Sequence, residues 1–233
     1  MNILKSIKKV KNYIRVKITL LLMRMYAEKA IQIVHNITEE NGTLYWLMFG
    51  TLLGAFREHG LIKHDDDIDL GMFAKDLNTH FVDQLVKSGF VFRHFKITSD
   101  GKYRMLKTFY HNIQVDFYGF TIEDSDCKHI TGLSTQPLDG FNWSTSKSIG
   151  KYKVRLIHVN YEGVELCRFG KSKFKVLKNP MNVLIDWYGE DFMTPVKGFH
   201  KCVSTTIEVI PEEKMTARNV SYEELKLIES DLP

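Results

Sequence analysis

Apolar residues recur every three or four positions at the front of the chain. Ile3, Leu4, Ile7, Val10, Ile14, Ile18, Leu21 and Met25 fall on one face of a helix, which is expected to run on to about Ile37. The pattern then changes. "TLYWLMFG" (43–50) reads as a short buried strand, and "TLLGAFREHG" (51–60) as a brief helix closed by Gly60. "DIDLGMF" alternates charged and apolar residues with a period of two, which predicts a strand with one buried face. Residues 75–89 return to helical spacing and end at Gly89. Three strands are predicted next, at 90–97, 102–111 and 113–120, separated by turn signals at "SDG" and "HN". Residues 121–150 are polar and turn-rich and read as a long loop on a binding surface. "KYKVRLIHVN" and "EGVELCRF" suggest a hairpin, and 179–192 a helix opened by Asn179 and Pro180.

These elements predict an α/β or α+β class with a mixed sheet flanked by helices. The expected organisation is a basic amphipathic helix at 1–37, a catalytic domain at 38–210 and a polar tail at 211–233 with a short helix at 221–230. No repeat or low-complexity tract interrupts it. Cys127, Cys167 and Cys202 are too far apart for a CxxC metal knuckle, and their odd number argues against a disulfide framework; reduced packing thiols in a cytosolic protein are expected.

Charge changes the picture at one end. The net charge is +4, yet residues 1–24 carry seven basic side chains and no acid, leaving −3 on the rest. The main body therefore lacks a basic stripe, and no nucleic-acid partner is expected. The apolar stretch Ile18–Met23 in this front segment, interrupted only by Thr19, is far too short to span a bilayer. Two readings of the basic helix stay open: peripheral contact with the inner face of the cytoplasmic membrane through residues 1–24, or packing on the domain with lysines outward.

The densest chemistry is "LIKHDDDIDLGMF" (61–73), four aspartates embedded in core-type residues. In a strand, Ile68 and Leu70 would point into the core, which places Asp67 and Asp69 together on the opposite face. Two carboxylates so close repel each other unless a cation lies between them. Mg²⁺, or Mn²⁺, suits such an oxygen site. "QVDFYGF" repeats the design: Val115 and Phe117 point inward and Asp116 faces the other way. The expected catalytic and metal-binding set is therefore Asp67, Asp69 and Asp116, able to clamp a phosphoryl group. The alternative is a solvated acidic turn with Asp116 paired to a lysine.

Around this set, Gly50 and Thr51 at a strand-to-helix junction offer amide N–H groups and a hydroxyl to phosphate oxygens. Arg57 could grip a phosphate in a bidentate manner, and Asp65 stands beside the metal site. Gly50, Thr51, Arg57 and Asp65 make up the expected donor-binding group. Asp66 should face away. Arg104 or Lys107 could turn toward the donor, Arg104 being the substrate candidate. Trp143, in the polar loop, is the aromatic candidate for a quaternary ammonium. Tyr45 and Trp46 read as core, and His59, His64 and His158 carry no specific signal.

"YWLMFGTLLGAFREHGLIKHDDDIDLGMF", with "VDFYGF" and "WYGEDFMTP" downstream, resembles the signature of the LicD/fukutin family. That resemblance implies a nucleotidyltransferase-like fold and Mg²⁺. It also implies transfer of a phospho-substituent, phosphocholine first and ribitol or glycerol phosphate as the alternative, from a CDP-linked donor to a glycan or lipid-linked glycan hydroxyl, with CMP leaving. One position departs: His64 stands where many relatives carry Trp. A nucleotidyltransferase acting on a small molecule would use the same carboxylates, and a non-catalytic assembly module would not need all three.

Overall fold

In the computed structural model, which describes residues 2–124, 126, 128–137, 151–195 and 207–230, the two aspartate-bearing segments become neighbouring strands. β2 (Asp67–Phe73) runs parallel to β5 (Ile113–Ile122), with Asp69 directly opposite Asp116. A parallel pair cannot be closed by a tight turn, so the chain crosses over through α3 (Thr79–Lys87), β3 (Phe90–Thr98) and β4 (Arg104–Tyr110). The β4–β5 link is a two-residue turn, His111 and Asn112, with φ of 46° and 64°. Positive φ at both positions gives the turn the twist that antiparallel strands require.

The remaining elements are α1 (Asn2–Asn41), β1 (Tyr45–Leu47), α2 (Phe49–Arg57), β6 (His129–Pro137) and β7 (Lys151–Asn160). They are followed by β8 (Val164–Phe169), β9 (Ser172–Leu177), α4 (Pro180–Tyr188), β10 (Ile207–Ile210), β11 (Thr216–Val220) and α5 (Tyr222–Ser230). Among the described residues the main sheet has nine strands in the order β1-β2-β5-β4-β3-β11-β7-β10, with β6 bridging β5 and β7. β6 takes up β5 at Phe120–Ile122, just past the point where β4 leaves it at Tyr118. It then pairs with β7 along its whole length. Strands β5, β4, β3, β11, β7 and β6 thus form a closed circuit. Lys96 of β3 shows which face is inside, since it donates to Thr135 of β6 at 2.6 Å and lies 4.3 Å from the ring centre of Tyr152 on β7. Neither strand is a neighbour of β3.

The expected class is observed, a mixed sheet flanked by helices with a long N-terminal helix. Several local readings need correction. Residues 129–137 are a strand and not loop: they pair with β5 and β7, and Ile130, Thr131 and Leu133 are buried. β7 does not pair with β8; it lies against β6, β10 and β11, and β8 instead forms a hairpin with β9. Part of the stretch expected as a polar tail is interior: β11 sits between β3 and β7, and Ala217, Val220 and Leu225 are buried. Residues 138–150, with Trp143, lie outside the described residues, as do Cys127 and Cys202. Cys167 is a free thiol.

One face of the sheet is the core. Ile68, Leu70, Val115, Phe117, Leu106 and Phe95 are fully buried there, and Phe81 of α3 meets Phe117 edge-on at 5.4 Å. Each such side chain contributes about 1.5–3 kcal/mol by leaving water. α1 adds Met23, Ala27, Ala30, Ile31, Val34 and Ile37 to the buried set. On the opposite face, Gly71 continues the row Asp67, Asp69 and pairs with Trp46 of β1. A Cβ on Gly71 would stand 2.2 Å from Nε1 of Trp46, so only glycine lets the indole lie across β2. Gly71→Ala is expected to displace Trp46 and cost about 1–3 kcal/mol in urea unfolding.

Candidate functional site

Alternation on β5 puts Gln114, Asp116 and Tyr118 on one face, and the parallel register brings that row beside Asp67 and Asp69. One carboxylate oxygen from each of Asp67, Asp69 and Asp116 can be chosen so that all three lie within 4.8 Å of one another. The structure thus brings together all three residues of the expected catalytic set. Asp69 is 9% exposed and Asp116 4%.

Their neighbours hold them in place. Gln114 donates from Nε2 to Asp116 Oδ2 at 3.0 Å and to Asp67 Oδ2 at 3.3 Å. Tyr118 donates its hydroxyl to Asp69 Oδ1 at 3.1 Å. Lys107 Nζ lies 3.4 Å from Asp116 Oδ2. Gln114 and Tyr118 were not singled out from the sequence, although both follow from stepping two residues either way from Asp116.

Burial and mutual repulsion raise the affinity of these carboxyls for protons. Burial pushes Asp67 up to about 6, with the Asp116 charge adding to it. Asp69 is pushed well above the usual carboxylate range, first by burial and then by Asp67, Asp116 and Asp65. Asp116 is raised by burial, with Lys107 and Lys96 pulling the other way. Such a cluster is short of positive charge. Asp116 Oδ1 is a buried oxygen with no hydrogen-bond partner. An all-oxygen donor set with one orphaned oxygen fits a hard divalent cation, Mg²⁺ or Mn²⁺.

The expected donor group is placed less directly. Thr51 Oγ1 accepts the backbone N–H of Asp69 at 2.9 Å, and Met48 N–H donates to the Asp69 carbonyl at 3.0 Å. The start of α2 therefore pins β2 at its central aspartate, and the Thr51 oxygen, 1% exposed at residue level, is not on open display to a phosphate. Gly50 abuts Asp65: a Cβ there would stand 2.7 Å from Asp65 Oδ2. Asp65 precedes the strand, its Oδ2 is buried without a partner, and burial, Asp67 and Asp66 push it up to about 7. Asp66 is exposed but does not turn away as alternation suggested: one carboxylate oxygen from each of Asp65, Asp66 and Asp67 can be chosen so that all three lie within 4.8 Å of one another.

Phe49, at the same junction, holds a left-handed φ of 42°. A bulky residue costs about 1–3 kcal/mol there. Its ring is held between Tyr118 (5.1 Å) and Trp187 of α4 (4.7 Å), which ties the "WYGEDF" segment to the wall behind Asp69. Tyr45 and Trp46 are fully buried core residues, as read.

The two arginines do other work. Arg57 bonds to Glu58 at 2.8 Å and to the Phe192 carbonyl at 3.2 Å, linking α2 to the segment after α4. Arg104, the substrate candidate, falls on the wrong face: it meets Glu229 of α5 at 3.2 Å and the Leu77 carbonyl at 3.4 Å. A cation at the site is Lys107, which the β4–β5 register sets directly opposite Asp116. Arg104→Met is expected to lower unfolding free energy by about 1–3 kcal/mol, as for a part-buried charged hydrogen bond. Urea melts read that loss, while the KM for a donor should stay within about twofold. His158 sits between Thr131 and Glu208, both at 3.1 Å, away from the carboxylates.

Comparison with known proteins bears out the resemblance. Residues 42–147 match the LicD/FKTN/FKRP nucleotidyltransferase domain. An uncharacterized protein of Rickettsia typhi is 39% identical over 66 residues, 27% of this chain and 21% of its own length. An uncharacterized protein of Caenorhabditis elegans is 34% identical over 84 residues, 34% of this chain and 22% of its own. The mouse ribitol-5-phosphate transferase FKTN is 28% identical over 74 residues, 32% of this chain and 16% of its own. The matched stretches thus span about a fifth or less of these relatives.

Proposed function

We propose that the domain matched over residues 42–147 transfers a phospho-substituent from a CDP-linked donor to a glycan hydroxyl, with CMP as leaving group. The observation that carries this is the trio Asp67, Asp69 and Asp116, converging from two parallel strands with an orphaned oxygen among them. The three would hold a divalent cation. When bound, it supplies neutralisation of the donor's phosphate charge and of the oxygens entering and leaving phosphorus.

The chain's own residues do the rest. Tyr118 and Gln114 fix the carboxylates in their facing positions, so little reorganisation is needed at the moment of reaction. Lys107, paired with Asp116 and 23% exposed along its side chain, is a cation within reach of a donor phosphate. Asp116 takes the proton of the acceptor hydroxyl as its oxygen forms the new bond to the phosphorus bearing the substituent. The P–O bond to CMP breaks, and CMP carries away the electron pair. Gly50 and Thr51 act by seating Asp65 and Asp69, and reach the donor through them.

Two donors remain in contention. The name of the mouse relative favours a polyol phosphate, and this takes precedence over phosphocholine as substituent. A lipid-linked glycan at the cytoplasmic face of the membrane would suit a domain that carries a basic helix. Purified protein with Mg²⁺, acceptor glycan and CDP-ribitol, CDP-glycerol or CDP-choline should release CMP from a polyol donor first. Preference for CDP-choline would restore the phosphocholine reading. Label transfer from an α-labelled nucleoside triphosphate would instead make the protein a nucleotidyltransferase.

A further inference from the structure

Two apolar faces run along α1, and they point in opposite directions. Its C-terminal half buries Met23, Ala27, Ala30, Ile31 and Val34 against the body. Its front part, from Ile7 to Met25, carries Ile7, Val10, Ile14, Ile18, Leu21 and Met25, each 46–58% exposed. At 3.6 residues per turn these six residues make one stripe whose centre lies about 160° around the helix from the buried face. α1 is continuous from Asn2 to Asn41, so its rotational phase is fixed by the buried residues. The body cannot cover the stripe without breaking the helix. The packed-helix reading of the front segment therefore holds for residues 23–37 and fails for residues 7–21.

The charge around the stripe says what can cover it. Lys11 and Lys17 border it on its two sides, and Lys5, Lys8, Lys9, Arg15 and Arg24 are all exposed on the rest of the surface. No acidic residue occurs before Glu28. A second copy of the helix laid along the stripe would bring seven positive charges against seven, with no acid to pair across the seam. No helix among the described residues is long and apolar enough to cross a membrane. An anionic headgroup layer satisfies both halves of the pattern: acyl chains take the apolar stripe and phosphates take the lysines on its borders.

We infer that residues 7–25 form an in-plane docking face for a membrane surface that carries anionic lipid. The face extends about 27 Å along the helix. Its orientation is set by the fold, because the stripe looks outward while the opposite side of the same helix is locked into the domain. The inference is independent of the reaction proposed for the carboxylates and is read without turnover.

The test uses the full chain in co-sedimentation with vesicles of phosphatidylcholine alone and vesicles with about one-third phosphatidylglycerol, and expects roughly tenfold or stronger preference for the anionic set. The double variant Ile14→Glu/Ile18→Glu should abolish that binding and leave the melting temperature of the body unchanged, since both side chains are about half exposed. Tyr13→Gln/Val16→Gln removes exposed apolar groups from outside the stripe and should retain binding. Equal losses in the two double variants would overturn the proposal, as would absent or lipid-indifferent binding by the parent. So would a dimer in sedimentation velocity that the Ile14→Glu/Ile18→Glu pair dissolves, which would assign the stripe to a second copy.

Discussion

Asp69→Asn is expected to lower CMP release by roughly 10³-fold while raising the melting temperature of the metal-free protein. The loss follows from removing one of three charges that hold the cation; the several kcal/mol that metal and carboxylates supply together correspond to such a factor. The gain follows from the same burial. Asp69 binds its proton far more tightly in the folded chain than in the unfolded one, so ionising it at neutral pH opposes folding. Asparagine keeps the oxygen that Tyr118 donates to and removes the charge. An upward shift of about 2–4 °C, what ~1 kcal/mol produces in a chain of this size, should appear in a thermal melt. A variant that turns over normally would remove Asp69 from the site, and one that melts lower would show its carboxylate to be a structural support.

The second large effect couples pH to metal. Asp65 and Asp67 titrate at about 7 and about 6 in the folded chain, both above the ordinary carboxylate value. Between roughly pH 4 and pH 7 the folded state therefore holds more protons than the unfolded state. Their contribution to stability is fully present below about pH 4 and is lost as pH rises through that window. A divalent cation competes with the same protons. At a hundred times its dissociation constant it adds about 2.7 kcal/mol. The melting temperature should then rise by about 5–10 °C with Mg²⁺ or Mn²⁺ at pH 7.5, and by less than half of that at pH 5.5. Differential scanning calorimetry at the two pH values checks this. A shift of the same size at both would mean that the ion binds elsewhere.

Much of the site was legible because strands obey simple geometry. The alternation in "DIDLGMF" and "QVDFYGF" was enough to place Asp67, Asp69 and Asp116 on one face, and the register confirms it. Lys107 could have been found the same way. Once "HN" is taken as a two-residue turn, counting back from it pairs Tyr110 with Ile113 and Lys107 with Asp116. The same count sends Arg104 to the other face, where α5 claims it. What stayed hidden was strand content in polar sequence. β6 and β11 contain few large apolar side chains, and their pairing is decided by distant partners, not by local preference. Thr51 misled for a related reason: a hydroxyl at a helix start looks ready for phosphate, but a neighbouring backbone amide reached it first.

The crossover between β2 and β5 also governs how the protein reaches its native state. Tyr118 must find Asp69 across 49 residues of chain, and Gln114 must find Asp67 across 47. The β4–β5 hairpin can form locally and early, whereas closing that long loop is slow. It also has to bring like charges together against their repulsion. During refolding, recovery of cation affinity should therefore lag behind formation of the hairpin, and divalent ions should slow unfolding more than they speed folding.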